Sequence, residues 1–165
     1  MKIRYCTKCV LPDTRPQINL NRDTLICDAC FNTVEKNKID WSVRKQLFSE
    51  LVENVKRQKK QYDCIIPVSG GKDSTWQAVV ALEYGLHPLC VTWKTPARNS
   101  LGAENLQNLI KLGVDHIDFS INPKTEKRFT LKAFKKLGSP VIPMHMALHA
   151  IPLQLATRFN IPLIL

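Results

Sequence analysis

No stretch of the 165-residue sequence approaches the run of roughly 20 apolar residues that a membrane-spanning helix needs. No membrane-spanning helix is therefore expected within these residues, and no membrane partner. The N-terminus, Met1-Lys2-Ile3-Arg4-Tyr5-Cys6, likewise lacks the apolar core of a secretory signal, so the chain is expected in the cytoplasm. Acidic side chains are in short supply: 14 Asp and Glu face 24 Lys and Arg, for a net charge of +10. Such a balance suggests an anionic partner, but charge alone does not choose among nucleotide, sugar nucleotide, acidic sugar and nucleic acid. Apolar residues are not scarce. At 44% they mark a globular rather than a disordered chain, long enough for one modest α/β domain with a small appendage.

In a reducing compartment, six cysteines do not read as three disulfides. Cys6-Thr7-Lys8-Cys9 and Cys27-Asp28-Ala29-Cys30 are two CxxC knuckles separated by 17 residues, inside the four-cysteine zinc pattern. Two residues between cysteines let both thiolates turn back toward one ion, and two such turns complete a tetrahedron. The intervening segment, with Pro12 and Pro16, offers little core, so metal binding would supply the folding free energy. A closed four-sulfur site holding Zn²⁺ is structural; disulfides or an iron–sulfur cluster are the competing readings. Residues 1–34 are therefore read as a zinc-knuckle unit and 35–60 as a linker helix. Asp40 or Ser42 caps that helix, and Val43, Leu47, Leu51 and Val55, with Phe48 and Val52 beside them, form its apolar stripe. Lys56, Arg57, Lys59 and Lys60 crowd its last turn, as a solvated C-terminus or a nucleic-acid face.

Residues 61–165 are read as an α/β domain: a parallel sheet with helices on both faces. Its centre is Ser69-Gly70-Gly71-Lys72-Asp73-Ser74. Before it, residues 62–68 read as a short buried strand. After it, Ser74 to Tyr84 read as a helix with Trp76, Val79, Val80 and Leu82 on its apolar face. A strand, a glycine turn and a helix N-terminus make an anion site. Glycines allow positive φ and close approach, while free N–H groups and the helix dipole favour negative charge. Ser69 and Ser74 add hydroxyls, Lys72 adds a cation, and Asp73 can hold a phosphate-bound Mg²⁺. The Walker pattern, with four residues between its glycines, is absent. Ser-Gly-Gly-x-Asp-Ser after a strand instead resembles the pyrophosphate loop of the ATP pyrophosphatases.

Further along, residues 87–93 read as a second strand, and a strand–helix–strand pair implies a right-handed parallel crossover. Ligands in such sheets sit at the strands' carboxyl ends. Thr92, Trp93 and Lys94 thus fall beside the loop, where Trp93 either faces an adenine ring or simply packs. A helix through Leu106, Leu109, Ile110 and Leu112 precedes a third strand, Val114 to Ser120. Asn122-Pro123 opens the next helix, which has Phe129, Ala133, Phe134 and Leu137 on one face and six Lys or Arg residues on the other. Pro143 begins another helix bearing His145 and His149 four apart, a spacing that suits a metal pair only with a third ligand, or a substrate-side role. Residues 161–165 look like the start of a fourth strand, so the sequence reads as the N-terminal part of a longer protein.

Several segments carry a closer resemblance: the four-cysteine unit, Pro67-Val68-Ser69-Gly70-Gly71-Lys72-Asp73-Ser74, Pro88 to Trp93, Gly113 to Asp118, and Pro143-Met144-His145-Met146. Together they resemble the N-acetyl sugar amidotransferases of bacterial surface-polysaccharide and flagellin-glycan synthesis, including lipopolysaccharide and pseudaminic acid pathways. The resemblance implies conversion of a sugar acetamido group to an acetamidino group with ATP and ammonia. An acetamido sugar or sugar nucleotide would be the acceptor, and a glutaminase subunit would supply the ammonia. It implies ATP binding by Pro67, Val68, Ser69, Gly70, Gly71, Lys72, Asp73, Ser74, Thr92 and Trp93, with Lys72 and Asp73 at the chemistry. Family members are about twice this length, which leaves an inactive nucleotide-binding fragment as one alternative. A tRNA thiolase of the same superfamily is the other, with only Cys64 and Cys90 left to supply a reactive thiol.

Overall fold

A computed structural model describes residues 3–165. Met1 and Lys2, the first residues of the stretch read above for a signal core, lie outside the described residues. By the density of its internal contacts the chain divides into two units, residues 1–47 and 48–165.

In the first unit, two short antiparallel bridges, Tyr5 with Pro12 and Leu20 with Cys27, bracket the two knuckles. The first knuckle closes through hydrogen bonds from the Cys6 N–H to the Leu11 carbonyl and from the Val10 N–H to the Cys6 carbonyl. The second runs directly into helix α1 (Asp28–Lys36), whose N-cap is Cys27. Among the described residues of this unit only Cys6 and Cys27 are buried. A unit with so little apolar core needs another source of stability.

Helix α2 (Trp41–Arg57) begins behind Asp40, whose carboxylate accepts from the N–H groups of Ser42 and Val43. The expected stripe is corrected here. Val43, Leu47 and Leu51 are exposed, while Val52 and Val55 are buried with Phe48 beside them. Burial is confined to the C-terminal end of the stripe, at Val55, and to its flank at Val52 and Phe48, where the helix meets the sheet domain's core.

The second unit is a parallel sheet of β1 (Cys64–Pro67), β2 (Pro88–Trp93), β3 (Asp115–Phe119) and β4 (Leu163–Ile164), in the order β3-β2-β1-β4. Alternation along β1 sends Cys64, Ile66 and Val68 to one face and Ile65 to the other. Helices α3 (Lys72–Glu83) and α4 (Ser100–Ile110) cover the first face through Ala78, Ala81, Leu106 and Leu109. On the second face, α6 (Ile142–Phe159) packs Ala147, Ile151, Leu155 and Ala156 against Ile65, Leu89 and Val91. Burying Ile65 and Ile66 completely contributes about 1.5–3 kcal/mol each. This is the expected α/β class, a parallel sheet flanked by helices.

Two expected faces need correction. Helix α3 turns Trp76 outward, 65% exposed, and buries alanines instead, because small side chains let the helix lie close on β1. Helix α5 (Pro123–Leu137) buries only Ala133 and leaves Phe129, Phe134 and Leu137 exposed. Helix α6 carries Pro143 in its first turn and continues through Pro152. No helix among the described residues is long and apolar enough to cross a membrane.

Candidate functional site

The sulfurs of Cys6, Cys9, Cys27 and Cys30 all lie within 4.8 Å of one another, with Cys6–Cys30 at 3.9 Å and Cys9–Cys27 at 3.6 Å. These distances are far beyond a disulfide bond of about 2.05 Å, and the thiols are free. They match the edge of a tetrahedron with zinc–sulfur bonds of about 2.3 Å, roughly 3.8 Å. Burial pushes the Cys6 thiol up, but hydrogen bonds from the backbone N–H groups of Cys9, Cys27 and Lys8 outweigh it and bring it down to about 6. Cys30 goes the other way, pushed up to about 12 by its hydrogen bond with Cys9, by burial and by the other sulfurs. Four thiolates cannot charge side by side without a cation, and a divalent ion removes that repulsion. The donor set fits Zn²⁺.

In the second unit, the strand-to-helix turn after β1 holds the predicted phosphate residues together. Gly71 is the N-cap of α3 and has no side chain to occupy the first N–H groups of the helix, which lack intrahelical partners. The turn is braced from within. The Ser74 hydroxyl donates to the Gly71 carbonyl and accepts from the Ser69 N–H, and the Gly71 N–H donates to Ser69 Oγ. Lys72 and Asp73 stand in solvent, 91% and 90% exposed, with Lys72 Nζ 3.4 Å from the Asp73 carboxylate. This exposed ion pair leaves both side chains accessible from solvent. The two glycines have different duties. Gly70 has φ +79°, and a Cβ there would stand 2.8 Å from the Leu106 nitrogen on α4. Gly71 has an ordinary φ of −75°. The close approach at Gly70 is to a neighbouring helix.

Two cavities meet the turn at the carboxyl ends of β1 and β2. One, about 360 Å³, runs from Pro67, Val68 and Ser69 past Val91 and Trp93 to Leu148, His149 and Pro152 of α6. The other, about 380 Å³, joins Val68, Ser69, Thr92 and Trp93 to Arg98, Asn99 and Gly102. Predicted site residues from both strands therefore face common space. Thr92 is buried, and its hydroxyl donates to the Val68 carbonyl (2.7 Å) and meets His116 Nε2 (2.9 Å). With that hydroxyl proton committed, His116 is the donor to Thr92. Trp93 borders both cavities, and its indole Nε1 is buried without a hydrogen-bond partner. His149 reaches the first cavity, whereas His145 lines neither. Among the described residues no third ligand joins them, the four cysteines being the one metal-type cluster. Cys64 and Cys90 are fully buried, and desolvation pushes both thiols up to about 12. Such thiols are inert.

Sequence reasoning passed over one group. Arg98 Nη1 and Nη2 donate to the two carboxylate oxygens of Asp118, both at 2.8 Å. This bond to Arg98 holds Asp118 below the usual carboxylate range despite opposing burial. In sequence Asp118 is only the last residue of the Gly113–Asp118 segment, and no local pattern joins a loop residue to a strand 20 positions later.

No protein-family model matches the sequence. Over 107 residues, 64% of this chain, it is 30% identical to the uncharacterized protein MJ1599 of Methanocaldococcus jannaschii, and the match covers 38% of that protein. Among solved structures it is similar to the NMN synthetase from Francisella tularensis, with a TM-score of 0.53 and 18% identity, over 72% of this chain and 50% of that one. That likeness is one of fold: the parallel sheet with its covering helices. The chain spans well under half of the archaeal relative and half of the synthetase.

Proposed function

We propose that this chain carries the ATP-binding part of an AMP-forming N-acetyl sugar amidotransferase acting in the cytoplasm, in surface-polysaccharide or glycan synthesis. The observation that carries the reading is the Ser69–Ser74 turn. Unfilled helix N–H groups, two hydroxyls and an exposed lysine–aspartate pair stand together after β1, and two cavities reach the turn at Ser69. The likeness to a synthetase fold supports it.

The chemistry follows from the groups present. An amide carbonyl is a poor electrophile. Attack of its oxygen on the α-phosphorus of ATP expels pyrophosphate, and ammonia then adds to the activated carbon and displaces AMP. The turn's N–H groups and Lys72 stabilise charge on the departing pyrophosphate. A Mg²⁺ ion bound with the nucleotide supplies further charge neutralisation, and Asp73 is the carboxylate that would hold it. Zn²⁺ in the four-cysteine unit would be structural. The acceptor would be an acetamido sugar or sugar nucleotide, with ammonia delivered by a glutaminase subunit. The thiolase alternative loses ground because Cys64 and Cys90 are buried and held protonated.

Pyrophosphate release from ATP and ammonium tests the reading, with acetamido-sugar nucleotides compared against unmodified tRNA plus a sulfur donor. Sugar-dependent release, with product oxygen replaced by NH and release abolished in a folded Asp73→Asn variant, is the expected result. tRNA-dependent release would move the protein to the thiolases. ATP binding without release under any condition would leave only a nucleotide-binding module.

A further inference from the structure

The cation expected to meet phosphate is poorly prepared for it. Lys72 is 91% exposed, and its near neighbour is the carboxylate of Asp73. Arg98 is different. Its side chain is 18% exposed, and both terminal nitrogens are locked to Asp118. Asp118 stands on β3 in register with Thr92 of β2, so the fork is anchored to the sheet at its carboxyl edge. An arginine has five N–H donors, and the Asp118 pair uses two of them, which leaves three. Arg98 borders the cavity that contains Ser69 of the phosphate turn. The relative placement is rigid, because Gly70 lies tight against Asn105 and Leu106 of α4, the helix that Asn99, next to Arg98, caps through the Gly102 N–H. A planar, pre-oriented guanidinium with spare donors suits a phosphate oxyanion better than a mobile ammonium does.

We infer that Arg98 is a ligand-binding residue of this site, receiving a phosphate group of the molecule that fills the cavity beside Ser69, with Asp118 as its positioning residue. This rests on the reading of the turn as a nucleotide site. The phosphate can belong to the leaving pyrophosphate or to the adenylate.

Calorimetric titration of the full chain with Mg²⁺-ATP, inorganic pyrophosphate, AMP and adenosine separates the possibilities. Arg98→Ala should weaken binding of the phosphate-bearing probe by about 10- to 100-fold, the loss of charged hydrogen bonds, while adenosine binding is unmoved. Arg98→Lys keeps the charge without the fork and should recover only part of the affinity. Asp118→Asn, which leaves the guanidinium in place but unaimed, should fall between. Loss on pyrophosphate assigns Arg98 to the leaving group, and loss on AMP alone assigns it to the adenylate. Unchanged affinity for every phosphate probe would overturn the inference while the turn kept its role. So would an equal loss for adenosine, the mark of a merely structural pair. Wild-type protein that bound no phosphate probe would overturn the reading of the turn itself, and the inference with it.

Discussion

Gly70 and Gly71 are adjacent and chemically identical, yet alanine should act on stability at the first and on ligand binding at the second. At Gly70 the backbone has φ +79°, a left-handed conformation that costs a non-glycine residue about 1–2 kcal/mol. The added Cβ would also stand 2.8 Å from the Leu106 nitrogen and 3.1 Å from Asn105 C and Leu106 Cα. These are helix backbone atoms that cannot rotate away, and forcing α4 outward adds about 1–3 kcal/mol. Lower unfolded-state entropy returns about 0.4–1 kcal/mol. Gly70→Ala should therefore destabilise the protein by about 1–5 kcal/mol, and the middle of that range is a fall in Tm of roughly 10 °C for a chain of this size. At Gly71 φ is −75°, and the nearest obstacle is Ser69 Oγ at 3.2 Å, the movable end of a side chain. Stability should change by less than about 1 kcal/mol. Because that hydroxyl accepts the Gly71 N–H, its displacement should weaken nucleotide binding. Thermal unfolding by circular dichroism, paired with ATP titration of each variant, measures both effects. If Gly71→Ala were as destabilising as Gly70→Ala, or Gly70→Ala were neutral, the packing of the turn against α4 would be refuted.

Metal analysis should find zinc bound to the four cysteines, and a chelator should unfold residues 3–47. Cys9→Ser should do the same, and a metal-free, disulfide-bonded preparation with unchanged structure would contradict this. Each ligand must be a thiolate, so protons compete with the metal and zinc retention should fall as pH falls. Thr92→Val removes a buried hydroxyl that serves both Val68 and His116. It should cost about 1–3 kcal/mol in denaturant unfolding, and no loss would show that the two partners re-pair. The folded-state pKa of Asp118 is depressed, chiefly by its hydrogen bond to Arg98. Its contribution is present above the ordinary carboxylate range and is lost as pH falls through and below it. Asp118→Asn should flatten that part of the acid limb of the stability curve; an unaltered limb would remove the pair from the account.

Much of the α/β unit could be read from short-range pattern. Strands β1 and β2 are brief apolar runs, the glycine turn is contiguous, and the knuckles are set by spacing within each CxxC, so local chemistry alone makes them visible. Faces were harder. Along α2 the apolar stripe is continuous, and periodicity could not say that only its C-terminal part, Val52 and Val55, would be buried while Val43 and Leu47 stay exposed. In α3 the large Trp76 looked like the packing residue, but closeness to the sheet favoured Ala78 and Ala81.

Local sequence settles the inventory and its short-range geometry: a glycine turn from Ser69 to Ser74 ahead of a helix, with the groups an anion would need, and two CxxC knuckles with the spacing of a metal site. Tertiary structure alone decided which distant groups join them. Gly70 is pressed against α4, His116 reaches Thr92, and Arg98 is aimed by Asp118. The first contact comes from α4 packing on the sheet, and the other two follow from the pairing of β2 with β3, which sets His116 and Asp118 beside Cys90 and Thr92; none of the three is nearness in the chain.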